Sequence, residues 1–390
     1  MRWDNLRLTA DGEADPSVPL FARGAVTRTF DTPEFQGMTF YEIRARSIVN
    51  RVPAASRVPF EYTINPYRGC SHRCVYCFAR KTHEYLDLDS GADFDSKIVV
   101  KVNAAELARK ELSSPRWGGH HIAMGTNVDC YQRAEGRYRL MPGILTALRE
   151  AANPFSVLTK GTLILRDLDL LAEAAEVTEV SAAVSAGFVD AEAWRAVEPG
   201  APHPLRRLEV CRTLNDHGIA CGVLMAPVLP YLTDSPAQLE RTVKEIAEAG
   251  ATHVTPIVLH LRPGAREWWL SWLSREHPRL VPRYLELYGR GAYAPKAYQA
   301  RVAAQVRELA ERFGVGRAVP AMARRRPPRP PRSASGPAPA EQLRLLQGVH
   351  RRHVGFRAQM GSNELGARIT RALCPYRGDS YGRHEEETCH

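Results

Sequence analysis

From Phe60 onward, short apolar runs alternate with longer stretches whose apolar residues recur every three or four positions. The runs "EYTIN" (61–65), "HIAMGT" (121–126), "FSVLT" (155–159), "EVSAAVS" (179–185), "IACGVLMA" (219–226) and "HVTPIVLH" (253–260) read as strands. Between them, "NAAELARKELS" (103–113) predicts a helix with Asn103 as N-cap, and "MPGILTALREAA" (141–152) one with Pro142 in its first turn. "LRDLDLLAEAA" (165–175), "LRRLEVCRTLNDHG" (205–218) and "SPAQLERTVKEIAEAG" (235–250) follow, the last two stopped by Gly218 and Gly250. Six βα units in sequence imply an α/β fold with a parallel sheet covered by helices. Eight units would close a barrel. Six fit an open or partial barrel, and a doubly wound sheet shares the same periodicity.

The pattern is different at both ends. Residues 1–55 read as an N-terminal extension. Within it "MTFYEIRARSIVNRV" (38–52) places Phe40, Ile43, Ile48 and Val52 at roughly helical spacing, as if to pack on the body. The core is expected over 56–300 and a C-terminal helix over 301–317. Residues 318–340, "AVPAMARRRPPRPPRSASGPAPA", read as a disordered Pro/Arg-rich linker, and 341–390 as a tail.

Composition narrows the class. The 390 residues are 44% hydrophobic and 25% charged, as expected of a globular chain with a core. The net charge is +10, but residues 315–352 hold nine arginines against one acid, Glu341, so that segment supplies +8 of it. The basic character belongs to the tail, and the body is nearly neutral. Met1–Leu20 carries Asp4, Asp11, Glu13 and Asp15 and no apolar stretch, and the run Gly218–Leu232 is too short to span a bilayer. The expectation is a cytoplasmic monomer with no membrane partner. Eight cysteines over this length are too sparse for a disulfide scaffold, and three are clustered, which points to metal binding.

In parallel α/β folds the chemistry collects on the loops after the strands. Five of the six such loops here carry polar or conformationally special residues. They include "GTNVDCYQ" (125–132), "KG" (160–161) and "SAG" (185–187). The first loop holds "NPYRGCSHRCVYCFAR" (65–80), with Cys70, Cys74 and Cys77 inside eight positions. Thiolates suit zinc, copper(I) or iron–sulfur clusters. A cubane normally takes four cysteines, so three leave one iron open. A structural zinc with His72, His83 or Cys130 as fourth ligand is the competing reading.

The Cx3Cx2C spacing of "CSHRCVYC", with an aromatic before the last cysteine, resembles the radical S-adenosylmethionine (radical SAM) superfamily. "MGTNVDCYQ" (124–132), "TKG" (159–161), "LRDLDLL" (165–171) and "APVLPYLTD" (226–234) extend the resemblance from about Met38 to about Tyr288, toward the branch that includes spore photoproduct lyase. The resemblance implies a partial (β/α)6 TIM-like barrel with an N-terminal extension and a disordered basic tail. It also implies a [4Fe–4S] cluster on Cys70, Cys74 and Cys77, S-adenosylmethionine on the open iron, and a reductant such as flavodoxin or ferredoxin. Reductive cleavage would then give a 5′-deoxyadenosyl radical.

Carried over residue by residue, Tyr76 falls near the adenine. Thr126, Asn127 and Asp129 fall near the methionine amino group, without the Gly-Gly-Glu form common elsewhere. Lys160 and Ser185 fall near the carboxylate and ribose, and Cys130 stands a few residues beyond a hydrogen-donating cysteine. Nucleic acid is the substrate class this resemblance favours. A zinc-stabilised nucleic-acid-binding module without catalysis and an iron–sulfur electron carrier are the alternatives. Cys211 and Cys221 read as core, and Cys374 and Cys389 as tail thiols. Trp268, Trp269 and Trp272 read as core at helical spacing, with base stacking as the other option.

Overall fold

The structure is a computed structural model, and it describes residues 25–316 except 54, 55 and 57. The expected linker and tail, with Cys374 and Cys389, lie outside the described residues.

The strands are β1 (Val26–Arg28), β2 (Thr39–Ile43), β3 (Val49–Arg51), β4 (Tyr62–Ile64), β5 (Tyr67–Arg68), β6 (Lys97–Lys101), β7 (Ile122–Met124), β8 (Phe155–Thr159), β9 (Val180–Ser185), β10 (Ala220–Val228) and β11 (Val254–Val258). Seven form one sheet in the order β11-β10-β9-β8-β7-β4-β3. All its neighbours are parallel except β3 and β4. All six strands expected from the apolar runs are present, and so are the helices between them. Among the described residues β11 and β4 do not pair, so the six parallel strands form an open sheet, the partial-barrel architecture rather than a closed one. The register pairs Ile64 with Met124, Met124 with Val157, Thr159 with Val184 and Ser185 with Leu224. The ends of β4, β7, β8 and β9 lie within about three residues of one another in register while β10 runs on to Val228, and the loops that follow the strands emerge along one edge.

Helices Ala104–Leu112, Leu140–Glu150, Leu168–Val177, Pro204–Asp216 and Pro236–Glu248 connect these strands. Gly218 and Gly250 follow two of them with positive φ, the backbone state a helix stop needs. Asn103 differs from expectation. Its side chain makes no cap bond; instead its amide accepts from the Ala45 N–H and donates to the Ala45 carbonyl. That pair ties the N-terminal extension to the body.

The extension itself is a correction. "MTFYEI" is a strand, not a helical face, because β2 has a parallel partner in β6. Phe40, Ile43 and Ile48 are buried as expected, but within and beside a four-stranded sheet β1-β2-β6-β5. Thr39, Phe40, Tyr41 and Ile43 are β-branched or aromatic, and such residues favour pleated pairing over the helical option. The last strand of this sheet, β5, leads directly into the cysteine loop. No helix among the described residues is long and apolar enough to cross a membrane.

Candidate metal and cofactor site

The cysteine loop is held from three sides before any metal is considered. From the loop after β7, the Gln132 side chain accepts from the Ser71 N–H at 2.9 Å and donates to the Gly69 carbonyl at 2.9 Å. From within the loop, Arg80 is fully buried and donates to the Cys74 carbonyl at 3.0 and 3.2 Å, to the Gly91 carbonyl at 2.7 Å and to Asp95 at 2.8 Å. The third support is the segment 197–200, after β9. The Val75 N–H donates to the Val197 carbonyl, the Gly200 N–H donates to the His72 carbonyl, and the Tyr76 hydroxyl donates to the Glu198 carboxylate. A Cβ on Gly200 would meet the Ser71 carbonyl oxygen at 2.2 Å, so only glycine permits this approach.

Cys70 and Cys74 are buried and Cys77 is half-buried. Burial is the main cause that pushes all three thiols up, Cys74 to about 12. Each also feels a neighbouring thiol or acid: Asp129, Cys74 and Cys77 act on Cys70, and Glu198 acts on Cys74. Such thiols are protonated when free and become ligands only when a metal displaces the proton.

Two candidates for a fourth ligand are each tied by one ring nitrogen only, and the Nδ1 atoms of His72 and His83 are buried with no hydrogen-bond partner among the described residues. His72 Nε2 bonds Asp129 Oδ2 at 3.0 Å, and His83 Nε2 bonds the Lys97 carbonyl at 2.9 Å. Cys130 is buried, and burial followed by Asp129 and Glu135 raises its thiol well above the ordinary value. Among the described residues no three His, Cys, Asp or Glu side chains, the three loop cysteines included, are grouped closely enough to hold a single metal ion. Three soft donors on one braced loop fit a cluster with one unliganded iron.

The expected cofactor residues separate into two groups. Lys160, just after β8, donates from Nζ to Ser185 Oγ at 2.6 Å, and Ser185 Oγ donates to the Ala226 carbonyl. Lys160 Nζ also lies 3.9 Å from Glu198 and 5.8 Å from the Tyr76 ring centroid. Tyr76, Lys160 and Ser185 thus form one polar wall beside Cys74. Thr126 and Asn127 are half-buried, and their side chains make no hydrogen bond among the described residues. Gly125 before them has φ +75°, and its position leaves room only for the Leu158 carbonyl, which a Cβ would meet at 1.8 Å.

Asp129 is instead committed to the protein. It accepts from His72, from the Tyr131 and Lys160 backbone N–H groups, and from Thr159 Oγ1. Burial alone would raise its carboxyl, but His72 and these hydrogen bonds bring it down to about 2. The carboxylate is a strut between the cysteine loop and the end of β8.

Sequence reasoning missed Glu198 and Arg207. Both are buried, and their side chains pair directly. Arg207 also donates to the Ser185 and Pro202 carbonyls at 2.9 and 2.8 Å. Burial opposes the Glu198 charge, yet Arg207 and then Lys160 hold its carboxyl below the ordinary value. Neither residue sits in a recognisable motif. The only sign in the sequence was an arginine on the inward stripe of its helix with Val210, Cys211 and Leu214.

Cys211 and Cys221 are fully buried, as read. So is Trp269, and Trp272 is nearly so, while Trp268 packs on Arg80 at 4.8 Å.

A family model described as "Radical SAM superfamily" matches residues 64–246. An uncharacterized protein of Mycobacterium tuberculosis is 49% identical over 315 residues, which cover 80% of this chain and 93% of that protein. An uncharacterized protein of Methanocaldococcus jannaschii is 28% identical over 195 residues, covering 50% of this chain and 69% of that one. Among solved structures, a spore photoproduct lyase mutant shares the fold with TM-score 0.53 and 16% identity over 71% of this chain and 80% of its own. Another, with bound AdoMet and dinucleoside spore photoproduct, gives TM-score 0.52 and 17% identity over 70% and 79%.

Proposed function

We propose, for a chain that belongs to the radical SAM superfamily, that Cys70, Cys74 and Cys77 hold a [4Fe–4S] cluster whose fourth iron is left to S-adenosylmethionine. When bound, that pair supplies one-electron cleavage of the sulfonium to a 5′-deoxyadenosyl radical, which removes hydrogen from a substrate. The observation that carries this reading is the cysteine loop, braced on three sides at the edge where the loops of six parallel strands converge.

The protein's own residues supply position and charge. Lys160 offers a cation to a carboxylate, and Ser185 and the Tyr76 ring offer a hydroxyl and a flat face beside it. Thr126 and Asn127 have side chains free for an ammonium group. Asp129 and Glu198 act through the loop and the lysine rather than as ligands. The buried Cys130 keeps its S–H, the form a hydrogen donor needs.

We further propose nucleic acid as the substrate class, supported by the fold shared with a lyase whose solved structure holds a dinucleoside spore photoproduct, and a reductant such as flavodoxin or ferredoxin as the electron source. The test is anaerobic reconstitution, reduction, and assay for 5′-deoxyadenosine. Alanine at Cys70, Cys74 or Cys77 is expected to abolish both iron binding and product. SAM cleavage by any of these variants would overturn the assignment.

A further inference from the structure

The edge that carries the cysteine loop also carries an aromatic ledge that the chemistry above does not use. Phe78 follows Cys77 directly and is 43% exposed, and Tyr293 is 50% exposed. Arg262 joins them. Its guanidinium carbon lies 5.4 Å from the Phe78 ring centroid, and its Nη2 donates to Tyr293 Oη at 3.4 Å. His260 continues the row, edge-on to Tyr293 with ring centroids 4.6 Å apart, and an isolated β-bridge fixes the two residues together. The order is ring, guanidinium, ring, imidazole.

The topology gives this row its place. Phe78 comes from the loop after β4, and His260 and Arg262 come from the loop after β11. Those are the two ends of the parallel run that do not pair. The ledge therefore bridges the open side of the sheet, at the end where the thiols sit.

Its chemistry favours a flat, anionic partner. Elsewhere the large rings are mostly packed inside, as with Phe94, Tyr131, Trp269 and Tyr284. Here π surface is left to solvent beside positive charge. The loops 259–264 and 289–295 contain Arg262 and Arg290 and no acidic residue. Arg262 lays its face against Phe78 and gives one donor to Tyr293, so the row offers stacking surface beside a cation that keeps its remaining donors. Bases inside a duplex have their faces covered by neighbours, whereas an unpaired strand presents them.

We propose that a single strand of nucleic acid lies along Phe78, Arg262, Tyr293 and His260, with bases stacked on the rings and phosphates against Arg262 and Arg290. This rests on the nucleic-acid reading of the substrate and gives that substrate a place.

The experiment uses the full chain, anaerobically reconstituted with its cluster, and measures binding alone with no S-adenosylmethionine added. A failure here therefore leaves the SAM-cleavage assay untouched, and a failure there leaves this one interpretable. A short oligodeoxynucleotide carrying 5-iodouracil is photocrosslinked and the adducts are mapped by mass spectrometry. Binding of the same sequence, fluorescein-labelled, is followed by anisotropy at near-physiological salt. Adducts at Phe78 or Tyr293 are expected, with affinity roughly tenfold weaker for Phe78→Ala and Tyr293→Ala and retained in Tyr293→Phe. Both side chains are exposed, and unchanged circular dichroism would show that the variants fold. Adducts confined to the arginine-rich residues 315–352, unchanged affinity in the alanine variants, or capture of an acidic protein partner by the ledge in place of the oligonucleotide would overturn the proposal.

Discussion

The hydroxyl of Tyr76, one residue before the last cysteine of the loop, donates to the carboxylate of Glu198, which is also paired with Arg207. A residue 122 positions away in sequence thus holds the aromatic of the cysteine motif. Glu198→Ala leaves Arg207 buried without its counter-charge and is expected to cost about 3–5 kcal/mol of stability. Tyr76→Phe removes one hydrogen bond and is expected to cost about 1–2 kcal/mol. Urea unfolding of the metal-free protein measures both. If Glu198→Ala is as stable as the parent, the segment 197–200 does not brace the loop.

Gly200 tests the same brace through the backbone. Alanine there would drive its Cβ against the Ser71 carbonyl at 2.2 Å and the His72 carbonyl carbon at 2.9 Å. These are main-chain atoms of the cysteine loop and cannot swing aside. Gly200→Ala is expected to lower both the melting temperature and the iron content after reconstitution. Full iron loading in this variant would show that the loop tolerates displacement.

Asp129 links stability to acid. Its folded carboxyl is at about 2, against about 3.9 for an unfolded chain. The stabilisation is complete above pH 4 and is lost as the pH falls toward 2, an effect of about 2–3 kcal/mol. Asp129→Asn should flatten that part of the stability–pH curve. A curve as steep as the parent's would place the acid sensitivity elsewhere.

Lys101 gives the same sign at higher pH, but as a burial cost that is relieved rather than a stabilisation that is gained. Burial, and then Arg68, lower its ammonium to about 7, while the unfolded chain keeps it near 10.4. Between these values the unfolded state holds the extra proton, so stability rises with pH from about 7 to about 10. Lys101→Met is expected to raise the melting temperature at neutral pH and to remove that rise. A variant that melts lower than the parent at pH 7 would contradict it.

The legibility of this fold follows the range of the interactions involved. The six strands and five helices of the repeating units were readable because each is specified by its own apolar period. The three thiols were readable because they share one loop. The small sheet escaped notice because the apolar residues of "MTFYEI" also suit a helical spacing, and its partner "KIVVK" lies more than fifty residues on. Asp129 was noticed as polar, but its four partners come from three separate loops, and spacing cannot show that. Glu198 and Arg207 escaped because their meaning lies wholly in what they touch.

The account stands most directly on what the metal does when S-adenosylmethionine arrives. Oxygen-free protein, reconstituted to about four irons per chain and reduced, should give an EPR signal of a single cubane. Adding S-adenosylmethionine should change that signal, because the molecule takes the iron that the three cysteines leave open. A signal indifferent to S-adenosylmethionine, or a purified chain holding only zinc, would contradict it.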